Sequence, residues 1–257
     1  MSQLISPEVI RNLPLFAGLN EEEKSGLLSA GKVRQYPNGK PLFAYGDVIT
    51  RYYVVCSGAV QLFRETPDGH EMTSDILLAG ASVGLIEIMQ SQATYQFNAV
   101  AVKETLVMEF PVGWIQEKAR SYSSLALNFL AMVARRAHTS MIEGEHKATM
   151  TAAQQIACFL QRLCMQCDCD PHDFHLPYSK TLMASRLGME LETLSRALAK
   201  IRLHGISITG SLVSFDDIAE VKSFVCDNCS IVGGCREHER LKDLLAKETK
   251  DKETFVA

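Results

Sequence analysis

Six of the eight cysteines in this 257-residue chain fall into two tight groups. The groups are Cys226, Cys229 and Cys235, with C-x2-C-x5-C spacing, and Cys164, Cys167 and Cys169. A C-x2-C step places two thiolates on one turn, where they can occupy adjacent corners of a metal site, and Gly233-Gly234 allows the chain to return a third. The spacing indicates a metal site, for which an iron–sulfur cluster and zinc are both candidates, with no metal as the alternative.

The three C-terminal cysteines need a fourth ligand. We expect it from the group at 164–169, because the helix that precedes this group should neighbour the C-terminal helix; a separate set of redox-active thiols is the alternative. Cys56, Cys158 and His238 are weaker candidates, since the two cysteines lie among apolar residues, as buried thiols do. Structural disulfides are not expected in a reducing cytoplasm.

A second concentration of chemically active side chains lies in residues 179–205, which predict two helices joined by a tight turn. Ala184 lets the helices cross closely, and Gly188 permits a left-handed turn. This stretch contains five Lys/Arg and two acids, a net charge of +3, whereas the whole chain carries −4. The second helix presents Glu192, Thr193, Ser195, Arg196 and Lys200. Such a face is typical of a DNA reader in the major groove, although a merely solvated helix face is the alternative.

The remaining pattern predicts the elements that position these residues. Turn-forming pairs recur about every ten residues over 33–110, which predicts an all-β roll. A proline-free helix is predicted over 113–149, with Gly144 as a hinge, and a β-hairpin wing is predicted around Gly210. The helix carries an apolar seam of Leu127, Leu130, Ala134, Ala137 and Met141. The seam favours packing against a second copy, with packing against the chain's own β-roll as the alternative.

Residues 191–196 contain E-x-x-S-R and are similar to the recognition helix of FNR, and residues 183–188 match the helix before it. Residues 16–19 and 78–84 also resemble segments of that family's β-roll. The string C-x2-C-S-I-x3-C resembles the segment of FNR that binds an oxygen-labile [4Fe–4S] cluster. The chain is thus similar to the CRP/FNR family of dimeric bacterial transcription regulators.

The resemblance implies an α+β chain with a cyclic-nucleotide-binding-like β-roll over 1–112 and a dimerisation helix over 113–149. A winged helix-turn-helix over 150–225 and a cysteine-containing extension over 226–257 would follow. The implied partners are a second copy of the chain, RNA polymerase and double-stranded DNA carrying TTGAT half-sites in inverted repeat, the FNR box. No enzymatic activity is expected.

The resemblance also assigns roles to single residues. Glu192, Ser195 and Arg196 would contact base edges, where arginine suits guanine and glutamate suits the cytosine amino group. Phosphate contacts, which position the protein without specifying sequence, would come from Lys180, Thr181 and Lys200.

The cysteine motif departs from the FNR pattern. It follows the DNA-binding region, whereas FNR carries it at the N-terminus, and Met108 occupies the position of FNR's fourth ligand. We nevertheless expect a cluster that responds to oxygen, nitric oxide or another oxidant, with structural zinc or a haem gas sensor as alternatives. A cluster-containing redox protein is the rival class, but no ferredoxin spacing or nucleotide-binding loop supports it.

Cyclic-AMP-binding relatives carry a Gly-Glu pair for the ribose and an Arg-Ser/Thr pair for the phosphate. The corresponding stretches here are 83–87 and 95–99, and the second contains no arginine. Because a buried phosphate without a cationic partner is costly to desolvate, cyclic nucleotide binding is not expected. Glu87 is expected to be an ordinary surface or turn residue.

Composition excludes other classes of protein. At 47% apolar and 22% charged residues the chain is typical of globular proteins, and no apolar run is long enough to span a membrane. The N-terminus lacks a basic flank followed by an apolar segment, so no secretory signal is expected. The sequence therefore predicts a cytoplasmic protein.

Overall fold

The computed structural model describes residues 6–90, 93–166, 173–216 and 218–226. The chain divides into two compact units, Met1–Thr139 and Ser140–Ala257. The described helices are α1 (Pro7–Arg11), α2 (Glu21–Ala30), α3 (Leu85–Met89), α4 (Val112–Ser121), α5 (Ser123–Thr149), α6 (Ala152–Gln166), α7 (Lys180–Leu187), α8 (Leu191–Arg202) and α9 (Ile218–Cys226), with a 3-10 turn at Pro14–Phe16. The strands are β1 (Lys32–Tyr36), β2 (Pro41–Phe43), β3 (Arg51–Ser57), β4 (Ala59–Glu65), β5 (Glu71–Leu78), β6 (Ser82–Val83), β7 (Asn98–Ala101), β8 (Thr105–Pro111), β9 (Asp173–His175), β10 (Ile206–Thr209) and β11 (Leu212–Phe215).

The first unit is a β-roll of two four-stranded antiparallel sheets, ordered β1-β8-β3-β6 and β2-β7-β4-β5. Strands β3 and β4 carry the densest apolar runs, and Tyr52 and Val54 are fully buried. Gly58 joins these strands with φ of 88°, and a Cβ atom there would lie 2.7 Å from the Glu104 carbonyl oxygen. Only glycine tolerates both the left-handed backbone and this close approach.

One face of α5 contacts the roll at two points that lie two turns apart. The Asn128 side chain donates hydrogen bonds to the carbonyl oxygens of Leu15, at 2.9 Å, and Ala17, at 2.8 Å. Two turns later, Arg136 forms an ion pair with Asp75 at 3.4 Å. Since residues four apart share a helix face, the face of α5 that carries Asn128 and Arg136 packs against the β-roll of the same chain.

The helix predicted over 113–149 is two helices in the structure. Tyr122 separates α4 from α5 because its backbone is extended, and its N–H is bonded to the Lys118 carbonyl at 2.7 Å. The predicted hinge at Gly144 does not interrupt the helix, since α5 continues to Thr149. Glycine in a helix costs about 1 kcal/mol relative to alanine, and the helical turns on either side of Gly144 stabilise the helix enough to offset this cost.

The second unit packs α6 against α8 and α9 and adds a three-stranded antiparallel sheet ordered β10-β11-β9. Its core includes Ile156, Leu160, Met183 and Val213, each fully buried. The predicted wing is present as the β10–β11 hairpin, with φ of 62° at Gly210. Strand β9, between α6 and α7, pairs with β11 at the edge of this sheet.

Candidate nucleic-acid interface

Two short helices with defined caps form the predicted helix-turn-helix. The Ser179 hydroxyl accepts a hydrogen bond from the Leu182 backbone N–H at 3.2 Å and begins α7. Gly188 ends the helix with φ of 66°, and its N–H donates to the Ala184 and Ser185 carbonyls. These local signals place the start of α8 immediately after the turn.

Helix α8 separates its apolar residues from its polar residues by face. Leu194, Ala197 and Ile201 are buried. The predicted base-reading face points to solvent, with Ser195 exposed and the side chains of Glu192 and Arg196 exposed by 81% and 72%. The nearest carboxylate and guanidinium atoms of this last pair are 3.8 Å apart, one turn from each other. This face can therefore present both donors and acceptors to a base edge.

The other predicted DNA contacts differ in exposure. Lys200 and Thr181 are exposed, whereas Thr193 is half-buried. Lys180 is also half-buried, and its ammonium group donates to the Ile208 carbonyl in the wing at 3.4 Å. The phosphate contacts predicted from the sequence thus lie around one end of α7 and along α8.

Arg186, which was counted in the basic patch, has a different role. Its guanidinium pairs with Glu143 at 2.8 Å, and Arg162 pairs with the same carboxylate at 2.6 Å. The three side chains are between 13% and 17% exposed. Burial alone would raise the pKa of Glu143, but the charges of Arg186 and Arg162 outweigh it and hold this pKa below its ordinary value. The triad joins α5, α6 and α7, and sequence spacing could not reveal it.

The five residues predicted to form a dimer seam all lie on the exposed side of α5; they are Leu127, Leu130, Ala134, Ala137 and Met141. Leu127, Leu130 and Met141 are exposed by 63%, 64% and 68%. Exposed apolar side chains aligned over four turns are typical of an interface with another molecule.

In the β-roll, an aromatic side chain occupies the stretch where cyclic-AMP-binding relatives carry their phosphate-binding arginine. Tyr95 is 2% exposed and stacks on Phe43 with ring centroids 3.6 Å apart. Its hydroxyl donates to the Arg51 carbonyl oxygen at 2.6 Å, and a Cβ atom on Gly84 would lie 3.2 Å from its ring. The position of Tyr95 thus holds a packed aromatic ring, and the neighbouring Gln96 carbonyl oxygen accepts a hydrogen bond from the Arg64 guanidinium of β4 at 2.8 Å.

Glu87 corrects one expectation from the sequence. It was expected at the surface or in a turn, but it lies in α3 with only 7% of its area exposed. The three-residue spacing from Gly84 gave no indication that Glu87 is buried, because α3 has only five residues and is too short to show a helical period.

The predicted cysteine ligands are only partly within the described residues. Cys167, Cys169, Cys229 and Cys235 lie outside them, Cys226 is the last residue of α9, and Cys164 is buried in α6. Cys56 and Cys158, expected to be core thiols, are also buried. Within the described ranges, no group of three or more potential ligands is placed to hold a metal ion.

The end of α9 contacts the beginning of α6. The Gln154 side chain donates to the Phe224 carbonyl oxygen at 3.0 Å, two residues before Cys226. Cys164 lies ten residues further along α6, a rise of about 15 Å, so this contact is at the opposite end of the helix. Cys158 is one turn from Gln154, and its sulfur lies 3.8 Å from His146 Nδ1.

Two family models match the chain: a cyclic nucleotide-binding domain over residues 33–122 and a Crp-like helix-turn-helix domain over residues 154–221. The cyclic AMP receptor protein of Thermus thermophilus is 30% identical over 197 residues, covering 77% of this chain and 89% of that protein. The nitrogen fixation regulation protein FixK of Rhizobium meliloti is 29% identical over 66% of this chain and 75% of its own length.

A solved structure supports the same fold. The structure of FixK2 from Bradyrhizobium japonicum is similar with a TM-score of 0.67 at 21% identity, and the match covers 76% of this chain and 96% of that one. A β-roll, a long helix and a Crp-like helix-turn-helix define a class of DNA-binding transcription regulators, not enzymes. This chain belongs to the CRP/FNR family. None of the helices in the described ranges is long and apolar enough to cross a membrane.

Proposed function

We propose that this regulator is a homodimer that binds an FNR-box-like inverted repeat of TTGAT half-sites and contacts RNA polymerase there. Its DNA affinity responds to oxygen, nitric oxide or another oxidant through a cysteine-ligated iron–sulfur cluster. The observation that carries the DNA-binding part is the exposed face of α8, on which Glu192, Ser195 and Arg196 lie together.

The chemistry of that face fits the proposed half-site. The Arg196 guanidinium can donate two hydrogen bonds to guanine, and the Glu192 carboxylate can accept one from a cytosine amino group. Because they lie one turn apart on the same face, they can read neighbouring base pairs. Lys200, Thr181 and the half-buried Lys180 are proposed to contact phosphates, and Thr193 flanks the reading face.

A dimer follows from the apolar face of α5. Burying leucine and methionine side chains contributes about 1.5–3 kcal/mol each, and a second copy related by a two-fold axis covers the same residues in both chains. The two α8 helices then read half-sites one helical turn apart. The seam consists of Leu127, Leu130, Ala134, Ala137 and Met141.

Gel-shift titration of the dimer on a duplex carrying the inverted repeat tests this proposal. Arg196→Ala should reduce the binding free energy for the repeat by about 1–3 kcal/mol and relax the preference for the guanine that Arg196 reads. Lys200→Ala should lower the affinity for all duplexes alike and make that affinity less dependent on salt. Equal affinity of the wild type for the repeat and for a scrambled duplex would refute the proposed half-site. If neither substitution changed the affinity, the proposal that α8 contacts DNA would be refuted.

The cluster is proposed from cysteine spacing, with Cys226, Cys229 and Cys235 as three ligands and the 164–169 group as the predicted source of the fourth. When bound, such a cluster supplies a centre that oxygen or nitric oxide can alter.

The packing of α9 supports a connection between the cysteines and the proposed DNA-binding helix. The Phe224 ring stacks on His204, immediately after α8, at 3.8 Å, so the end of α9 that carries Cys226 is attached to the end of the reading helix.

Anoxic purification followed by assays of iron, acid-labile sulfide, zinc and the visible spectrum tests the cofactor. Iron with sulfide, and a broad visible band that bleaches in air, would support the sensor. Zinc without sulfide would indicate that the cysteines form a structural zinc site, and a sharp Soret band would indicate haem. Either of these results would refute the cluster and leave the DNA-binding function intact.

Cyclic nucleotide is not the proposed signal, although the Thermus relative is named for cyclic AMP. The phosphate of such a ligand needs a cation, but the stretch itself contains none: it places Tyr95 against Phe43, and the adjoining Arg64 guanidinium is already bonded to the Gln96 carbonyl oxygen. Displacing a tyrosine that is 2% exposed would cost several kcal/mol of packing, which a ligand would have to offset.

A further inference from the structure

Leu191 is a large apolar side chain exposed on the face of α8 that reads DNA. It is the first residue of the helix and is 55% exposed, whereas Leu194 and Ile201 of the same helix are buried. An isolated exposed leucine is common on protein surfaces, but its place beside Glu192 gives this one a specific environment in a complex.

The direction of Leu191 follows from helix geometry. Side chains advance by about 100° per residue, so Leu191 lies one turn before Ser195 on nearly the same line and beside Glu192. The buried residues Leu194 and Ala197 lie about 60° and 120° round the helix from Leu191 in the direction away from Glu192, so Leu191 stands at the edge of the exposed face. In helix-turn-helix proteins the N-terminal residues of the second helix contact base edges, so Leu191 is at the end that enters the major groove.

The chemistry of the groove limits what this side chain can read. Leucine has no donor or acceptor, and the only apolar group that the major groove presents is the C5-methyl of thymine. We propose that Leu191 is a specificity-determining residue that contacts the methyl group of a thymine next to the base pair read by Glu192. This inference rests on the DNA-binding function, and it adds a thymine contact to the polar contacts of that function.

The test removes the methyl group from the DNA and the side chain from the protein. A preferred site is first selected from random duplexes with the anoxic full-length dimer, so the test does not depend on the TTGAT sequence. Each thymine of that site is then replaced singly by deoxyuridine. We expect the wild type to lose about fourfold in affinity at one position, the value of one methyl group removed from water. Leu191→Ala should bind the unsubstituted site more weakly and lose nothing further at that position.

Two further variants define the comparison. Leu203→Ala is the matched control, because Leu203 is 80% exposed at the other end of α8 and should leave the deoxyuridine profile unchanged. Leu191→Met keeps an apolar side chain of similar volume and should retain the wild-type sensitivity.

Two results would overturn the proposal. One is a wild type indifferent to every deoxyuridine; the other is a Leu191→Ala protein that remains as sensitive as the wild type at the same position. A selection that enriches no sequence would instead refute sequence-specific DNA binding itself, and the thymine contact with it.

Discussion

The Glu143 triad predicts a specific loss of stability in the second unit. Glu143→Gln removes the negative charge that two arginines share and leaves both cations about 85% buried without it. Removing one partner of a buried ion pair costs about 3–5 kcal/mol, and the residual exposure of these side chains reduces this to about 2–3 kcal/mol. With a urea slope of about 1.5 kcal/mol/M, the unfolding midpoint of this unit should fall by about 1–2 M.

The chain offers an internal control for this measurement. Its one tryptophan, Trp114, lies in α4 of the first unit, so tryptophan fluorescence follows that unit while far-UV circular dichroism follows helices of both. Glu143→Gln should shift the dichroism transition and leave the fluorescence transition in place. The matched variant is Glu117→Gln, which removes a surface pair with Lys118 and should cost less than about 0.5 kcal/mol.

The pH dependence has a defined sign. Because the folded pKa of Glu143 lies below its ordinary value of 4.5, its stabilisation is complete at neutral pH and is lost as pH falls below about 4.5 through the folded pKa. The stability difference between wild type and Glu143→Gln should therefore be constant between pH 7 and 5 and shrink in more acidic buffer. Equal midpoints for Glu143→Gln and Glu117→Gln at pH 7 would refute the structural role given to the triad.

Four other outcomes are expected. Leu130→Glu should convert the dimer to a monomer in light scattering, while Arg135→Glu, on the flank of the same helix, should not; a dimeric Leu130→Glu protein would refute the α5 seam. Cys226→Ser should lose iron and sulfide after anoxic purification, whereas Cys56→Ser, in the β-roll, should keep both. Because the fourth ligand is proposed to come from the group at 164–169, at least one of Cys164→Ser, Cys167→Ser and Cys169→Ser should lose iron, whereas Cys158→Ser should keep it; the reverse would make Cys158 the fourth ligand. Millimolar cyclic AMP should leave the melting temperature unchanged, because a ligand that binds the folded state would raise it.

The sequence alone determined the β-roll, the long helical region and the helix-turn-helix, because the signals for these elements are local. The two-residue and 3.6-residue periods of apolar residues specify strands and helices, and Ser179 and Gly188 act through hydrogen bonds and a dihedral angle within a few residues. The exposed face of α8 and the apolar seam of α5 follow from the same periodicity. Both predictions therefore needed only the neighbouring residues.

Tertiary structure alone decided which charged and polar side chains are buried and what they contact. Arg186 counts as a basic residue of the DNA-binding region in the sequence, yet it pairs with a carboxylate 43 positions earlier. Glu87 is buried in a helix too short to have a period, and the partner of Phe224 in α6 is 70 positions away. Contacts at such separations depend on how helices and sheets pack, and packing is a property of the whole unit that no local pattern of residues encodes.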